Sequence, residues 1–194
     1  MSDSWDEYAQ DWDSNPDAIA YSQLAFNSLS THFNPAGLNV LDFGCGTGLL
    51  SEKIAGVANS VVAVDSSAKM IDILKAKKLA NVTALACEIS AESINGNSIL
   101  KSGFDLIVAS SVCAFIPNFE KTLADLKALL NPGGVFIQWD WKRNDDEPDF
   151  GFNDKSITKA YSKAGLSLVL VTTEFSLTSE KGTREVIMGI AKKE

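Results

Sequence analysis

The sequence predicts a doubly wound α/β sandwich, and three observations carry that prediction. Residues 40–50, VLDFGCGTGLL, pass from a short apolar run through a glycine-rich turn into a segment able to be helical, which is the pattern of a strand, a tight loop and a helix start. Further short apolar runs then alternate with segments of helical periodicity, as strands joined by right-handed crossovers do. Size and composition agree: 194 residues, 45% hydrophobic and 22% charged, suit one domain whose core needs no staples.

Taken in order, residues 4–12 place Trp5, Tyr8, Ala9 and Trp12 at helical spacing, which predicts a short acidic helix with one aromatic face. That face either staples the helix to the core or covers a ligand. Asn15 and Pro16 suit the cap and first turn of a second helix with a buried stripe of Ile19, Ala20, Leu24 and Ala25, and Asn34, Pro35 and Gly37 stop it. Residues 1–33 are thus expected to be a helical lid segment ahead of the first strand. Beyond the glycine turn, residues 60–65, 82–86 and 104–109 are the next three strands, the last an apolar strand expected to be buried on both faces. Asn118 caps a helix with Leu123, Leu126 and Leu130 on one face, and residues 131–134 turn into a fifth strand at 135–141. Residues 142–153, polar, acidic and interrupted by Pro148 and Gly151, predict an insertion loop. A last helix over 154–164 stops at Gly165, and residues 168–175 and 185–191, joined through 179–182, predict an antiparallel hairpin at the sheet edge.

The turn carries the chemistry. Gly44, Gly46 and Gly48 permit positive φ and let a ligand approach where a Cβ would block it, and the helix beginning near Gly48 points its free N–H groups at that ligand. A dinucleotide fingerprint, G-x-G-x-x-G/A, requires Gly or Ala where Leu49 stands. Asp42, two residues before the first glycine, would repel a pyrophosphate but attract a ligand bearing an ammonium group, so a nicotinamide-dependent oxidoreductase is disfavoured. Four ordered blocks, VLDFGCGTG, VVAVDSSAKM, FDLIVASSVCAFI and LLNPGGVF, resemble the class I S-adenosylmethionine-dependent methyltransferases, and the resemblance covers nearly the whole chain. It implies a seven-stranded, mostly parallel sheet with helices on both faces and the last strand antiparallel. It also implies S-adenosylmethionine as cofactor, with the segment WDEYAQDWD folded across it.

On that resemblance the cofactor is expected against Asp42, Gly44, Cys45, Gly46, Gly48, Asp65, Ser66, Met70, Glu88, Ile89 and Ser110. Asp65 ends the second strand seventeen residues beyond Gly48, where a carboxylate accepts both hydroxyls of an adenosine ribose; the alternative is an acid capping the helix that begins near Ser67. Met70 would pack on the adenine. Glu88 matches the acid that holds the adenine amino group, with Ile89 donating a backbone N–H, or else Glu88 is a solvated loop acid. The acceptor is expected beside residues 110–116, with Tyr8, Trp12, Phe115, Trp141 and Phe152 as its tentative contacts and Asp140, at the carboxyl end of the fifth strand, as the best-placed base. Phe150 and the acids Asp11, Asp13, Asp145, Asp146, Glu147 and Asp149 would complete an aromatic, acidic rim favouring an amine. Ala114 and Phe115 stand where many relatives carry histidine, and neither an Asn-Pro-Pro-Tyr nor a Pro-Cys motif for base methylation is present. The implied reaction is methyl transfer to nitrogen or oxygen of a small molecule; a non-catalytic cofactor-binding module and a protein side-chain methyltransferase are the alternatives.

Composition narrows the partners. The net charge is −8, and no Lys or Arg precedes Lys53, so the acids ahead of it carry the whole excess. An acidic chain without a basic stripe is a poor ligand for nucleic acid. No apolar run approaches a membrane span and no leader is visible. Cys45, Cys87 and Cys113 lack C-x-x-C spacing and are expected to be reduced core or pocket-lining thiols of a cytoplasmic protein, and with His32 the only histidine, expected away from the site, no metal site is expected.

Overall fold

Seven strands form one sheet in the computed structural model, which describes residues 5–143, 150–180 and 182–194. They are β1 (Asn39–Phe43), β2 (Ser60–Asp65), β3 (Val82–Ala86), β4 (Phe104–Ser110), β5 (Leu130–Trp141), β6 (Ser167–Ser179) and β7 (Gly182–Lys192), in the order β3-β2-β1-β4-β5-β7-β6. The first five are mutually parallel; β7 runs antiparallel to both β5 and β6. The doubly wound architecture and the reversed last strand therefore stand as expected.

The order reverses between β1 and β4, and the chain leaves those two strands toward opposite sides, which opens a crevice at their carboxyl ends. Helices α1 (Ala9–Trp12), α2 (Pro16–His32), α3 (Leu49–Ala55), α4 (Ala68–Ala76), α5 (Ala91–Gly96), α6 (Phe119–Leu129) and α7 (Asp154–Ala164) complete the layers. One face of the sheet, with Val40, Val61, Leu106, Ile137 and Trp139, packs on Ala25 and Leu29 of α2, Leu50 and Ile54 of α3, and Ile71 and Leu74 of α4. The other, with Leu41, Val62, Ile107 and Phe136, packs on Leu123 and Leu126 of α6 and Ile157 and Tyr161 of α7. Strand alternation sends successive side chains to opposite faces, so both faces of the central strands are apolar.

Local rules place the ends. The Asn15 side chain accepts from Asp17 N at 2.9 Å, with Pro16 in the first turn of α2, and Asn153 and Ser156 form a capping box at α7, which Gly165 closes in the left-handed conformation. Three boundaries differ from the sequence reading. Leu130 leaves the apolar face of α6 and opens β5 by pairing with Phe104; the register slips before Leu106 pairs with Val135, so the turn at 131–134 is a bulge within one strand. The hairpin strands are longer than expected, and within the hairpin β6 forms the sheet edge. The first helix is broken: residues 5–6 are helical, 7–8 form a turn and α1 follows. Of the insertion at 142–153, residues 144–149 lie outside the described residues; its ends are pinned by a bridge between Lys142 and Phe152 and by Arg143 N donating to Phe152 O at 2.7 Å.

Candidate active site

The glycine turn sits between the carboxyl end of β1 and the start of α3, with Gly44, Gly46 and Gly48 all at positive φ, +71°, +54° and +83°. A Cβ on Gly44 would lie 2.3 Å from Val112 Cγ2, and one on Gly48 2.3 Å from Leu74 Cδ1, so those two glycines permit close packing. Gly46 differs. A Cβ there would lie 3.5 Å from Trp12 Nε1 and 4.0 Å from Met70 Sδ, in ordinary van der Waals contact with two lining side chains and without a clash.

Two carboxylates flank the turn. Asp42, on β1, is buried and accepts from Ser51 Oγ at 2.6 Å. Burial pushes its pKa up to about 7, the Ser51 hydroxyl opposes this and the charge of Asp65 adds to it. Asp65, at the end of β2, accepts from Gly46 N at 2.9 Å through one oxygen and from Ser67 N at 2.8 Å through the other. Its pKa is also raised, by burial, against those N–H groups. The helix cap on α4 is made by Ser67, whose Oγ accepts from Met70 N, so Asp65 is not the cap; each of its oxygens keeps a lone pair for a ligand hydroxyl.

The N-terminal segment is fastened across this turn by carboxylates. Asp13 accepts from Thr47 Oγ1 and pairs with Lys77 Nζ at 2.9 Å, while Asp6 accepts from Ser67 Oγ and Lys69 N, which holds its pKa below the ordinary value. Between these ties Trp5 packs edge-on against Trp12 and Phe115, at centroid separations of 6.0 and 5.1 Å.

A cavity of about 790 Å³ lies beneath. Asp42, Gly44, Cys45, Gly46, Asp65, Ser66, Met70, Glu88, Ile89 and Ser110 all line it, as do Trp12, Phe115 and Trp141. Gly48 does not; it underlies the turn against Leu74. Two of the expected acceptor contacts and the expected base also fall elsewhere. Tyr8 is 57% exposed beside the Trp5 ring, because the break in the first helix turns it outward. Phe152 is buried against Phe119 at 5.2 Å in the core. Asp140 is fully buried, accepts from Ala114 N at 3.1 Å and Gln138 Nε2 at 3.4 Å, and does not line the cavity. Strand alternation puts it with Phe136 and Gln138 on the α6/α7 face, opposite Trp139 and Trp141, so its carboxyl is not placed to act as the base expected from the sequence. Burial raises its pKa to about 7. Of the acidic rim, Asp145, Asp146, Glu147 and Asp149 lie outside the described residues, and Asp13 is spent on the lid. His32 lies away from the cavity, with Nε2 2.9 Å from Glu174 Oε1.

Sequence reasoning missed Tyr21, Ser22, Lys121 and Leu177 among the lining residues, whereas Ser111 and Val112 fall within the loop expected to meet the acceptor. The aromatic spacing of residues 5–12 pointed to Trp5, but nothing local marks Tyr21 or Leu177, which a helix and a distant strand bring in. The cavity fits S-adenosylmethionine on this geometry: the bare Gly46 backbone on its wall, two flanking carboxylates for ammonium and hydroxyl groups, and Met70 and Ile89 as apolar walls for a base.

Comparison with known proteins agrees. The family model for a methyltransferase domain matches residues 15–170. An uncharacterized methyltransferase of Schizosaccharomyces pombe is 26% identical over 162 residues, 72% of this chain and 57% of that protein. The ubiquinone biosynthesis O-methyltransferase of Paraburkholderia phytofirmans is 29% identical over 127 residues, 63% of this chain and 54% of that one, so the chain spans about half the length of these curated relatives. The crystal structure of a SAM-dependent methyltransferase from Aquifex aeolicus superposes with a TM-score of 0.73 at 16% identity, covering 100% of this chain and 99% of that one. Matched over most of its length by that family model and carrying the fold and the glycine turn described above, the chain belongs to the methyltransferase domain family, among the class I S-adenosylmethionine-dependent methyltransferases.

Proposed function

We propose that the protein transfers the methyl group of S-adenosylmethionine to an oxygen of a small, largely apolar or aromatic acceptor. The observation that carries this reading is that one cavity is lined both by the glycine turn with Asp42, Asp65 and Glu88 and by Trp5, Trp12, Tyr21, Phe115, Trp141 and Leu177, with Ser22 and Ser111 among its neutral polar groups. When bound, the cofactor supplies an electrophilic methyl on a sulfonium centre. The chain's own part is to hold the acceptor at near-attack distance, roughly 3 to 3.5 Å, in a dry pocket under the lid. The name of the Paraburkholderia relative, an O-methyltransferase, supports oxygen over nitrogen.

An amine acceptor, the expectation built on the aromatic and acidic rim, has less support. Tyr8, Phe150 and Phe152 do not line the cavity, and the Arg184 guanidinium lies 5.7 Å from the ring centroids of both Trp141 and Phe150, two rings of that expected rim. The test is release of S-adenosylhomocysteine with a panel of hydroxylated aromatics beside the matched amines and carboxylic acids. Turnover of the hydroxylated set is expected. Turnover confined to amines would overturn the oxygen assignment, and cofactor binding without turnover of any class would favour a non-catalytic module.

A further inference from the structure

Resting on that reading of a hydroxylated acceptor, we propose that Ser111 is the residue that holds the acceptor's oxygen, with the Tyr21 phenol behind it as a positioning residue. Ser111 follows β4 directly, at φ +55°. Among the described residues only Lys78 shares a positive φ without being glycine, and Lys78 is exposed just past the end of α4, an ordinary place for that conformation. Ser111 has no such excuse. Its N–H donates to Trp139 O at 2.7 Å, which holds the backbone in a conformation that costs an L-residue energy, and its side chain lines the cavity. The next residue, Val112, packs on Gly44 so closely that a Cβ there would lie 2.3 Å away, so Ser111 stands beside the glycine turn, on the wall of the same cavity.

Behind it is a second unsettled group. Tyr21, on α2, is 6% exposed and lines the same cavity, its ring held edge-on by Trp141 at 5.3 Å and Phe175 at 5.4 Å. Its hydroxyl is shut away from water and, among the described residues, has no hydrogen-bond partner at good geometry. A buried hydroxyl left unpaired costs stability and asks for an explanation. Burial pushes its pKa well up, the charges of Asp140 and Cys113 add to it, and together they outweigh the nearby Ser111 hydroxyl that favours ionisation, so the phenol keeps its proton as a donor. A serine hydroxyl can accept from the phenol and donate to a ligand oxygen at once. A small movement of the Ser111 side chain on ligand entry would satisfy both groups, and neither Asp140, enclosed on the far face, nor His32, held by Glu174, competes for the role.

The experiment titrates 4-nitrophenol and nitrobenzene into protein saturated with S-adenosylhomocysteine, so that no turnover intervenes. Ser111→Gly removes the hydroxyl and suits the positive φ. Its affinity for 4-nitrophenol should fall roughly threefold to tenfold, the range one neutral hydrogen bond spans, with nitrobenzene and S-adenosylhomocysteine binding unchanged and the melting temperature unchanged or higher. Tyr21→Phe should lose less affinity, melt no lower than the wild type, and move the ionisation of bound 4-nitrophenol, read from its absorbance, to higher pH. Loss of both probes alike, or wild-type 4-nitrophenol affinity in Ser111→Gly, overturns the assignment while a wild-type preference for the phenol leaves the acceptor reading intact. A wild type that binds S-adenosylhomocysteine but does not prefer 4-nitrophenol over nitrobenzene overturns both.

Discussion

The pH dependence of cofactor affinity tests the placement of Asp42 most directly. In the free protein its carboxyl titrates near pH 7 because burial disfavours the charge and Asp65 adds like charge beside it. A ligand ammonium beside the turn stabilises the ionised form, so binding below pH 7 must expel a proton. The sign follows from linkage: the ligand prefers the carboxylate, and affinity therefore rises with pH up to the free-protein pKa and levels beyond it. If the bound pKa falls below about 5, lowering the pH from 7 to 5 weakens binding roughly fiftyfold, or ~2.3 kcal/mol. The ligand's own α-amino group, with an ordinary pKa near 8, makes affinity fall again at higher pH.

Calorimetric titration of S-adenosylmethionine from pH 5 to 8.5, in two buffers of different ionisation enthalpy, measures both the affinity and the protons released. Asp42→Asn keeps an oxygen to accept from Ser51 and removes the titration, so its acidic limb should vanish. So should that of wild-type protein with methylthioadenosine, which lacks the ammonium. Affinity independent of pH between 5 and 7, or the same acidic limb in Asp42→Asn, would refute the placement.

Three further outcomes are expected. Asp65→Ala should weaken S-adenosylmethionine binding by roughly 1.5 to 3 kcal/mol in a folded protein, since charge-assisted hydrogen bonds to a ligand are lost; an unchanged dissociation constant by calorimetry would remove Asp65 from the site. Gly46→Val should abolish cofactor binding, because its side chain enters the space between Trp12 and Met70 and strains a φ of +54°; full binding by a variant with wild-type circular dichroism would place the ligand elsewhere. Asp140→Asn should raise the melting temperature at pH 8 more than at pH 5. The folded pKa of Asp140, about 7, lies above its unfolded value, so the wild type loses stability as pH rises through 7, up to ~4 kcal/mol as a limit, and an amide does not; equal effects at both pH values would mean that Asp140 is ionised throughout.

What the sequence makes legible here depends on whether local spacing or sidedness decides. Gly46, Asp42 and Asp65 could be read directly, because a tight turn with positive φ and a carboxylate at a strand end are local demands on residue type, and the parallel sheet brings those ends to one crevice. Asp140 also ends a strand, yet it faces away. Residues 137–141 alternate apolar and polar side chains, but β5 is buried on both sides, so the alternation does not reveal which of Asp140 and Trp141 points to the ligand. Tyr8 and Trp5 were ambiguous for a related reason: helical spacing allies them, but Asp6 and Asp13, each bonded to a hydroxyl of the opposite wall, set how the segment lies, and the turn between them frees Tyr8. Ser111 could not have been singled out from its neighbours Ser110 and Val112, since a strained φ at a serine leaves no trace in the sequence. The unforeseen residues are thus those whose roles arise from a face, a strain or a long-range contact, and the wall proposed to hold the acceptor is built largely of such residues. Its selectivity follows from tertiary packing on a scaffold whose cofactor side is written locally, so variants that re-pack Tyr21, Trp141 and Leu177 should alter which acceptor is taken while S-adenosylmethionine affinity stays in place.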